Sequence, residues 1–327
     1  MALSTRAFHV GLLPDRPAAE VARLAAEAEA LGFAGVWIAD SQSIWRDAFA
    51  ALTLSAAATQ RVTLATAVTN PVTRHPAVLA NIFATLDEIS GGRAAVGIGV
   101  GESSVRTLGL EPARLARLEE VVLAVRGLIA GQEATVDGRA IRSAWSARHV
   151  PVYIASSGPR SLRLAGRIGD GVLFQVGSLP SLARWALREI AAGAEGRSPT
   201  ILMRMACAVD RDAAAARDSV AGYAAAAAGT VFANVTADDV PADVWDEIGR
   251  MKARYDYYEH ASGTALHREL VTDRILDAIA VAGTPDYAVE RFRELCELPI
   301  DGFVLPMVGP DPSAAMRVLA EDVLPKL

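Results

Sequence analysis

The sequence predicts an α/β fold, a (β/α)8 TIM barrel with an insertion before its last strand. Short apolar runs alternate with longer segments of helical period along the 327 residues, and eight such units fit a closed barrel of this length. The apolar runs are almost continuous, as expected for parallel strands buried on both faces. An open Rossmann-like sheet is the alternative, but the first run ends in Leu13-Pro14-Asp15 and lacks the GxGxxG fingerprint. The barrel is therefore preferred.

The eight predicted strands are rich in small and β-branched residues and are bounded by glycine, proline or aspartate. In chain order they cover residues 7–13, 34–40, 61–68, 93–101, 151–156, 171–177, 200–210 and 301–309.

The predicted helices have apolar residues at helical spacing, as Val21, Leu24, Ala28 and Leu31 show in the first of them. Proline at the first position and glycine after the last position mark their ends. They cover residues 17–31, 47–59, 76–89, 112–130 and 285–297, and others begin near 159, 179, 211 and 312. A turn at 137–138 predicts a small excursion within 131–150, and a change of composition predicts the insertion at about 229–262. We expect one barrel domain spanning residues 1–327.

Composition excludes several classes of protein. The hydrophobic share of 52% supplies a sizeable core, and a net charge of −6 with scattered basic residues argues against binding to nucleic acid or to an anionic membrane. Cys207 and Cys296 form no CxxC pair, so we expect two buried, reduced thiols rather than a disulfide or a zinc site. The sequence shows neither a signal peptide nor an apolar run long enough to span a bilayer. A cytoplasmic protein is expected.

The predicted carboxyl ends of the strands carry small residues, amides and hydroxyls, and active sites of such barrels lie at this end. Histidines and metal-binding motifs are missing there, whereas Asp40 and Glu102 supply carboxylates. Glycines and serines at 99–103 and 156–158 permit close approach of the backbone to a flat polar ligand. The start of a helix at Gly158-Pro159 offers backbone N–H groups to an anion. These features predict chemistry that depends on a bound cofactor.

Residues 64–103 read LATAVTNPVTRHPAVLANIFATLDEISGGRAAVGIGVGES, and residues 150–173 read VPVYIASSGPRSLRLAGRIGDGVL. Both blocks resemble the luciferase-like superfamily of flavin- and F420-dependent oxidoreductases, most closely its methylenetetrahydromethanopterin reductase-like branch. Residues 35–40 and 282–292 resemble the family more weakly. The resemblance implies a homodimer that acts on a small-molecule substrate.

The resemblance also implies that coenzyme F420 or, alternatively, FMN lies across the barrel mouth. It places a cis non-proline peptide bond at or next to Ala67–Val68, and it implies catalytic or ring-positioning roles for Asp40 and Glu102. The cofactor-binding residues that it implies are Ala67, Val68, Thr69, Asn70, Gly101, Glu102, Ala155, Ser156, Ser157, Gly158, Gln175, Val176 and Gly177. The blocks at 69–77 and 89–94 favour F420.

Two positions depart from the sugar-phosphate dehydrogenases of the superfamily. Ser41 stands where these enzymes have a catalytic histidine, and Ser178 stands where they present a lysine near the cofactor phosphate. The first departure argues against the same proton transfer, and the second leaves the phosphate contact open. Two alternatives to F420-dependent hydride transfer therefore remain: FMN-dependent oxygenation, and a catalytically silent flavin-binding homologue.

Several side chains permit more than one interpretation. Asn70 fits a turn residue or a cofactor contact. His75 fits a helix start packed against the barrel better than a proton-transfer group, and Arg74 fits a partner to Asp87-Glu88 or a ligand phosphate. Trp45 fits a wall of the substrate pocket or the core equally. The cluster in the insertion fits a substrate lid, a helix face or a dimer contact; it consists of Tyr255, Tyr257, Tyr258 and His260.

Overall fold

A computed structural model describes residues 6–231 and 271–327. In these residues eight parallel strands close into a barrel, in which neighbouring strands follow one another in chain order and the last pairs with the first. The barrel strands are β1 (Ala7–Leu12), β2 (Gly35–Ile38), β3 (Thr63–Thr66), β4 (Ala94–Ile98), β7 (Val152–Ser156), β8 (Gly171–Phe174), β9 (Thr200–Arg204) and β12 (Gly302–Pro306). The predicted fold class is confirmed.

Helices follow the barrel strands and cover the outside of the barrel. They are α1 (Ala18–Ala30), α2 (Ala48–Ala58), α3 (Pro76–Ser90), α4 (Ser103–Arg106), α5 (Leu115–Ile129), α6 (Pro159–Ile168), α7 (Pro180–Ala194), α8 (Ala213–Val231), α9 (Asp273–Ile279), α10 (Pro285–Cys296) and α11 (Pro312–Val318). Proline stands in the first turn of α3, α6, α7, α10 and α11, where a missing N–H costs no helical hydrogen bond. The α11 helix continues as a π-helical turn at Leu319–Val323 and a 3-10 turn at Leu324–Lys326.

The apolar core has two parts, one between the strands and the helices and one inside the barrel. Inside the barrel the fully buried Trp37 packs edge-on against Tyr153 at 5.2 Å and against His9 at 6.0 Å between ring centroids. The other interior side chains are smaller, and they include Ala65, Ala67, Ala95, Leu173 and Val304. Large rings therefore fill the lower barrel, whereas alanines and glycines leave space above them.

The predicted strand at 200–210 is wrong in one respect, because it forms two strands. The strand is interrupted at Met205, and β10 (Ala206–Val209) pairs with β11 (Ala280–Gly283) in a separate parallel sheet. The sequence analysis missed β11 because AVAG is short, contains a single β-branched residue and directly precedes a clear helix start.

Two further segments differ in detail from the prediction. The helix predicted at 112–130 begins at Leu115, and the short α4 precedes it. The predicted excursion is confirmed as a hairpin of β5 (Ala134–Val136) and β6 (Arg139–Ile141), with both turn residues at positive φ.

Most of the predicted insertion at 229–262, with its tyrosine cluster, lies in residues 232–270, outside the described part of the chain. Residues 229–231 belong to the end of α8.

Within residues 6–231 and 271–327, the helices are all too short or too polar to cross a bilayer.

Candidate active site

A pocket of about 230 Å³ lies at the carboxyl ends of the barrel strands. Strands β2, β3, β4, β7, β8 and β9 or the loops after them contribute to its wall, and helix α8 closes one side. The lining residues are Ala39, Asp40, Ser41, Trp45, Ala67, Val68, Gly99, Val100, Gly101, Glu102, Ser103, Ser104, Ala155, Ser156, Ser157, Ser161, Leu173, Gln175, Arg204, Tyr223 and Ala227. Trp45 is thus a wall residue, one of the two positions that the sequence permitted.

Small residues form the wall that connects β3, β4 and β7. A Cβ added at Gly99 would lie 3.2 Å from Val68 Cγ2 and 3.3 Å from Ala155 Cβ, so a side chain there would occupy the pocket wall. The peptide bond between Ala67 and Val68 is cis, which confirms the position expected from the family resemblance. The residues Ala67, Gly99 and Ala155 give this part of the wall short side chains or none, which suits a planar ligand.

Thr69 and Asn70 follow this wall but are fully buried and do not line the pocket. Asn70 Oδ1 accepts hydrogen bonds from the backbone N–H groups of Val72 and Thr73, and Asn70 Nδ2 donates to Ser104 Oγ at 3.1 Å. The amide therefore holds its own loop against the loop that follows β4. Of the two alternatives for Asn70, the structure supports the turn residue.

Gly101 allows this close contact between the two loops. It has a φ of +85°, and a Cβ there would lie 2.5 Å from Val105 Cγ2 and 3.1 Å from Asn70 Cβ. Any larger residue would force the loops apart, and the positive φ would add strain.

Asp40 lines the pocket, but its carboxylate is almost fully buried and is occupied by neighbours. Arg74 donates to both oxygens, at 2.7 Å and 3.3 Å, and Thr69 Oγ1 donates at 2.7 Å. Arg74 also approaches Asp47 at 3.5 Å and lies over the ring of Phe49 at 4.6 Å. Both partners suggested for Arg74 by sequence, Asp87-Glu88 and a ligand phosphate, are thus replaced by Asp40, which only the folded loops bring near.

His75 confirms the predicted helix start. Its Nδ1 accepts the backbone N–H of Ala77 at 3.1 Å, which caps α3 ahead of Pro76. The expected packing against the barrel is wrong, because the side chain is exposed. The histidine does not line the pocket.

Glu102 lies at the pocket rim, at the N-cap position of α4. Its Oε1 accepts a hydrogen bond from Arg106 Nε at 2.7 Å, and its side chain is 43% exposed. Next to it, the hydroxyls of Ser41 and Ser103 are 2.8 Å apart in a buried hydrogen bond. The serine at position 41 is therefore linked to the loop after β4.

Hydroxyl groups line the β7 side of the pocket. Ser156 Oγ is buried and has no hydrogen-bond partner among the described residues, and Ser157 and Ser161 lie beside it. Gly158 itself does not line the pocket, and its N–H donates to Ser161 Oγ at 3.2 Å. At this helix start, where the sequence predicted an anion site, the Gly158 N–H is thus paired within the chain and the Ser161 side chain lines the pocket.

After β8, only Gln175 of the three expected residues lines the pocket. Val176 is buried, and Gly177 has a φ of +83° and packs against Ala278, whose carbonyl oxygen a Cβ would approach to 2.4 Å. Ser178 Oγ donates to the backbone carbonyls of Asp277 and Ala280. This serine joins the loop to α9 and β11, so its hydroxyl makes a structural contact.

Sequence reasoning missed Arg204 and Tyr223. Arg204 ends β9 and donates to Gln175 Oε1, and its guanidinium lies 5.6 Å from the ring centroid of Tyr223. Burial raises the pKa of the Tyr223 phenol, and the charge of Arg204 opposes this rise. The arginine within an apolar strand was a usable signal, whereas the alanine-rich α8 gives no indication that its tyrosine reaches the pocket.

The two cysteines lie away from the pocket. Cys207 is buried, and burial raises the pKa of its thiol to about 12. Cys296 is half-buried, so the expectation of full burial is wrong for this residue. Among residues 6–231 and 271–327, no group of His, Cys, Asp or Glu side chains has the arrangement of a metal site.

Known proteins are similar to this chain over nearly its whole length. The chain is similar to the 5,10-methylenetetrahydromethanopterin reductase of Methanolobus tindarius, with 34% identity over 97% of this chain and 99% of the relative. It is also similar to the F420-dependent glucose-6-phosphate dehydrogenase of Nakamurella multipartita, with 32% identity over 94% and 92% of the two chains.

Solved structures show the same fold. The coenzyme F420 dependent tetrahydromethanopterin reductase from Methanopyrus kandleri superposes with a TM-score of 0.81 at 27% identity, covering 98% of this chain and 99% of that chain. The monooxygenase RslO1 from Streptomyces bottropensis superposes with a TM-score of 0.70 at 25% identity, with the same coverage. The luciferase-like monooxygenase family model matches residues 2–302. The resemblance seen in the sequence is thus confirmed, and the chain belongs to the luciferase-like monooxygenase family.

Proposed function

We propose that the protein is an oxidoreductase that binds coenzyme F420 at the barrel mouth and catalyses hydride transfer to or from a small organic substrate. Two kinds of relative match more than nine-tenths of the chain. One is named a methylenetetrahydromethanopterin reductase, and the name of the other specifies dependence on F420. The observation that carries the proposal is the pocket wall of small residues at Ala67, Gly99 and Ala155.

The residues present fit such a cofactor. A flat tricyclic ring requires a wall without projecting side chains, and the residues between β3 and β7 supply it. A polar tail requires donors, and Ser157, Ser161 and Gln175 lie along the neighbouring stretch of wall. The unpartnered Oγ of Ser156 is the kind of buried group that a ligand satisfies.

When bound, F420 supplies a hydride donor or acceptor on the central ring of its deazaflavin. The protein then supplies orientation, exclusion of water and placement of protons. Asp40 holds Arg74 and Thr69 in place, so we assign it a positioning role at the barrel mouth rather than a proton-transfer role. Glu102 is the pocket carboxylate with access to solvent, so we assign proton exchange with the bound substrate or cofactor to its carboxylate.

FMN-dependent oxygenation is the second candidate, supported by the similarity to the monooxygenase RslO1. FMN would lie against the same pocket wall as F420. The two functions are therefore distinguished by measuring which cofactor the protein binds. The purified protein is titrated with F420 and separately with FMN, and quenching of cofactor fluorescence is followed. Tighter binding of F420 is expected; tighter binding of FMN together with substrate-dependent oxygen uptake would reject the F420 proposal, and binding of neither would reject both.

The Glu102→Gln variant tests the assigned role. The glutamine side chain has nearly the same size as glutamate, but its amide cannot donate or accept a proton as a carboxyl group does. Turnover with reduced F420 should fall while F420 affinity changes less than threefold, and unchanged turnover would exclude Glu102 from proton exchange. A homologue without turnover would instead bind F420 and show no oxidation of the reduced cofactor with any substrate.

The proposal also includes a homodimer, one barrel domain over residues 1–327 and a cytoplasmic location. Exposed apolar side chains on the adjacent helices α2, α3 and α5, among them Leu54, Val78 and Leu123, are suited to a subunit contact. Light scattering of the purified protein tests the dimer, limited proteolysis tests the single domain, and cell fractionation tests the location.

A further inference from the structure

The charged side chains of the pocket differ in whether an oppositely charged side chain lies beside them. Among residues 6–231 and 271–327, three charged side chains line the pocket: Asp40, Glu102 and Arg204. Asp40 is neutralised by Arg74, and Glu102 is paired with Arg106. Arg204 instead contacts the neutral groups Gln175 and Tyr223, and no carboxylate among the described residues lies within salt-bridge distance of it.

The guanidinium of Arg204 also has unused hydrogen-bonding capacity. Its Nε is buried and has no partner among the described residues, and one Nη donates to Gln175. A buried donor without an acceptor is unfavourable, and a guanidinium matches the two oxygens of a carboxylate in geometry. The side chain is therefore prepared for an anion that enters the pocket.

The position of Arg204 indicates which molecule supplies that anion. In the eight-stranded barrel, β9 is the fourth strand from β3 in either direction, so Arg204 lies across the mouth from the Ala67–Val68 wall. The hydroxyl groups suited to the cofactor tail lie between these two positions, after β7 and at the start of α6. A cofactor that occupies the small-residue wall leaves the Arg204 side to the substrate.

We propose that Arg204 is a specificity-determining residue that binds a carboxylate of the substrate, and that the substrate is consequently an organic acid. This inference depends on the proposed cofactor-binding function of the same pocket. Gln175 and Tyr223 hold the guanidinium in place from two sides, by a hydrogen bond and by a cation–π contact. A fixed guanidinium distinguishes an acid from its ester, because only the acid offers a charged pair of oxygens.

The test uses the protein loaded with F420 and matched pairs of probe ligands, cinnamate with methyl cinnamate and benzoylformate with methyl benzoylformate. Isothermal calorimetry measures binding, so no turnover is required. In the wild-type protein at least one acid should bind about 10- to 100-fold more tightly than its ester, the range expected for a charge-assisted contact. Equal binding within both pairs, or no binding of any acid, would overturn the proposal.

Variants identify the residue responsible for the preference. Arg204→Gln should abolish the preference for the acid, Arg204→Lys should retain part of it because the charge remains, and Arg184→Gln should retain all of it. Arg184 is an exposed residue of α7 outside the pocket, so it controls for the loss of one positive charge. Loss of the preference in the Arg184→Gln protein, or its retention in Arg204→Gln, would contradict the assignment.

The cofactor phosphate is the other possible source of an oxyanion. The F420 fragment that ends at the ribityl group lacks this phosphate, so both forms are titrated into the wild-type protein and into Arg204→Gln. Equal effects of the substitution on the two affinities are expected. Selective weakening of F420 would assign Arg204 to the phosphate and overturn the proposal. Failure of the wild-type protein to bind F420 would reject the proposed function, whereas the acid–ester comparison on the cofactor-free protein would still test the anion site.

Discussion

Replacing Asp40 with asparagine separates a structural carboxylate from an ordinary surface acid. The Asp40 side chain is 2% exposed and accepts two hydrogen bonds from Arg74, which is 18% exposed. Breaking a buried ion pair costs about 3 to 5 kcal/mol of folding free energy. Arg74 keeps partial solvation, Asp47 at 3.5 Å and the Phe49 ring, so we expect about 2 to 3 kcal/mol for Asp40→Asn.

Asp47→Asn is the matched control. Asp47 faces the same arginine but is 55% exposed, and its side chain caps α2 through the N–H of Ala50, a role that asparagine fills equally well. This substitution should cost less than about 0.5 kcal/mol. Urea unfolding, followed by far-UV circular dichroism with the slope m compared between variants, measures both changes.

The double variant Asp40→Asn/Arg74→Gln completes the cycle. If the cost of Asp40→Asn arises from leaving Arg74 uncompensated, then removing the arginine charge should recover at least about 1 kcal/mol. Equal costs for Asp40→Asn and Asp47→Asn, or no recovery in the double variant, would refute the positioning role of Asp40.

Three other predictions concern buried groups. Burial lowers the pKa of His9 from 6.5 to about 4; the unfolded state therefore binds the proton first as pH falls, and His9 should contribute a loss of about 3 kcal/mol of stability between pH 6.5 and 4. His9→Gln should remove most of this drop in urea unfolding at a series of pH values, and an unchanged pH dependence would contradict it. Gly97→Ala should cost more than about 2 kcal/mol, since its Cβ would lie 1.8 Å from the Thr66 carbonyl oxygen, whereas Gly127→Ala, with no atom closer than 3.9 Å, should not destabilise; similar unfolding midpoints would be inconsistent with this. Cys207 should resist iodoacetamide at pH 8 in the folded protein, because burial raises the pKa of its thiol to about 12, and rapid labelling detected by peptide mass spectrometry would contradict its burial.

The barrel was predictable because each of its strands has an almost continuous apolar run and several of its long helices have a start signal. Pro76 with Gly91 at the two ends of α3 is one such case. The separate sheet of β10 and β11 was not predictable, because its pairing joins segments more than 70 residues apart along the chain and AVAG carries little strand preference. The division of the strand at Met205 depends on that pairing.

The candidate site was predictable where a residue type is required by its own backbone or loop. Gly101 is an example, because it has a positive φ. The cis bond between Ala67 and Val68 was expected from the family resemblance instead. The partners of charged residues were not predictable, because Arg74 reaches Asp40 only after two loops fold together. Tyr223 enters the pocket from α8, whose sequence there is almost entirely alanine.

We expect the small-residue wall of the barrel mouth to bind the deazaflavin ring of F420. Fluorescence titration of F420 into the wild-type protein and into Gly99→Val tests it most directly, because a side chain at Gly99 enters the wall between Val68 and Ala155. Circular dichroism and the unfolding midpoint confirm that the variant is folded. We predict saturable binding of F420 by the wild-type protein, weaker binding of FMN, and at least a tenfold loss of F420 affinity in Gly99→Val. Unchanged F420 affinity in a folded Gly99→Val protein would contradict binding of the ring at this wall.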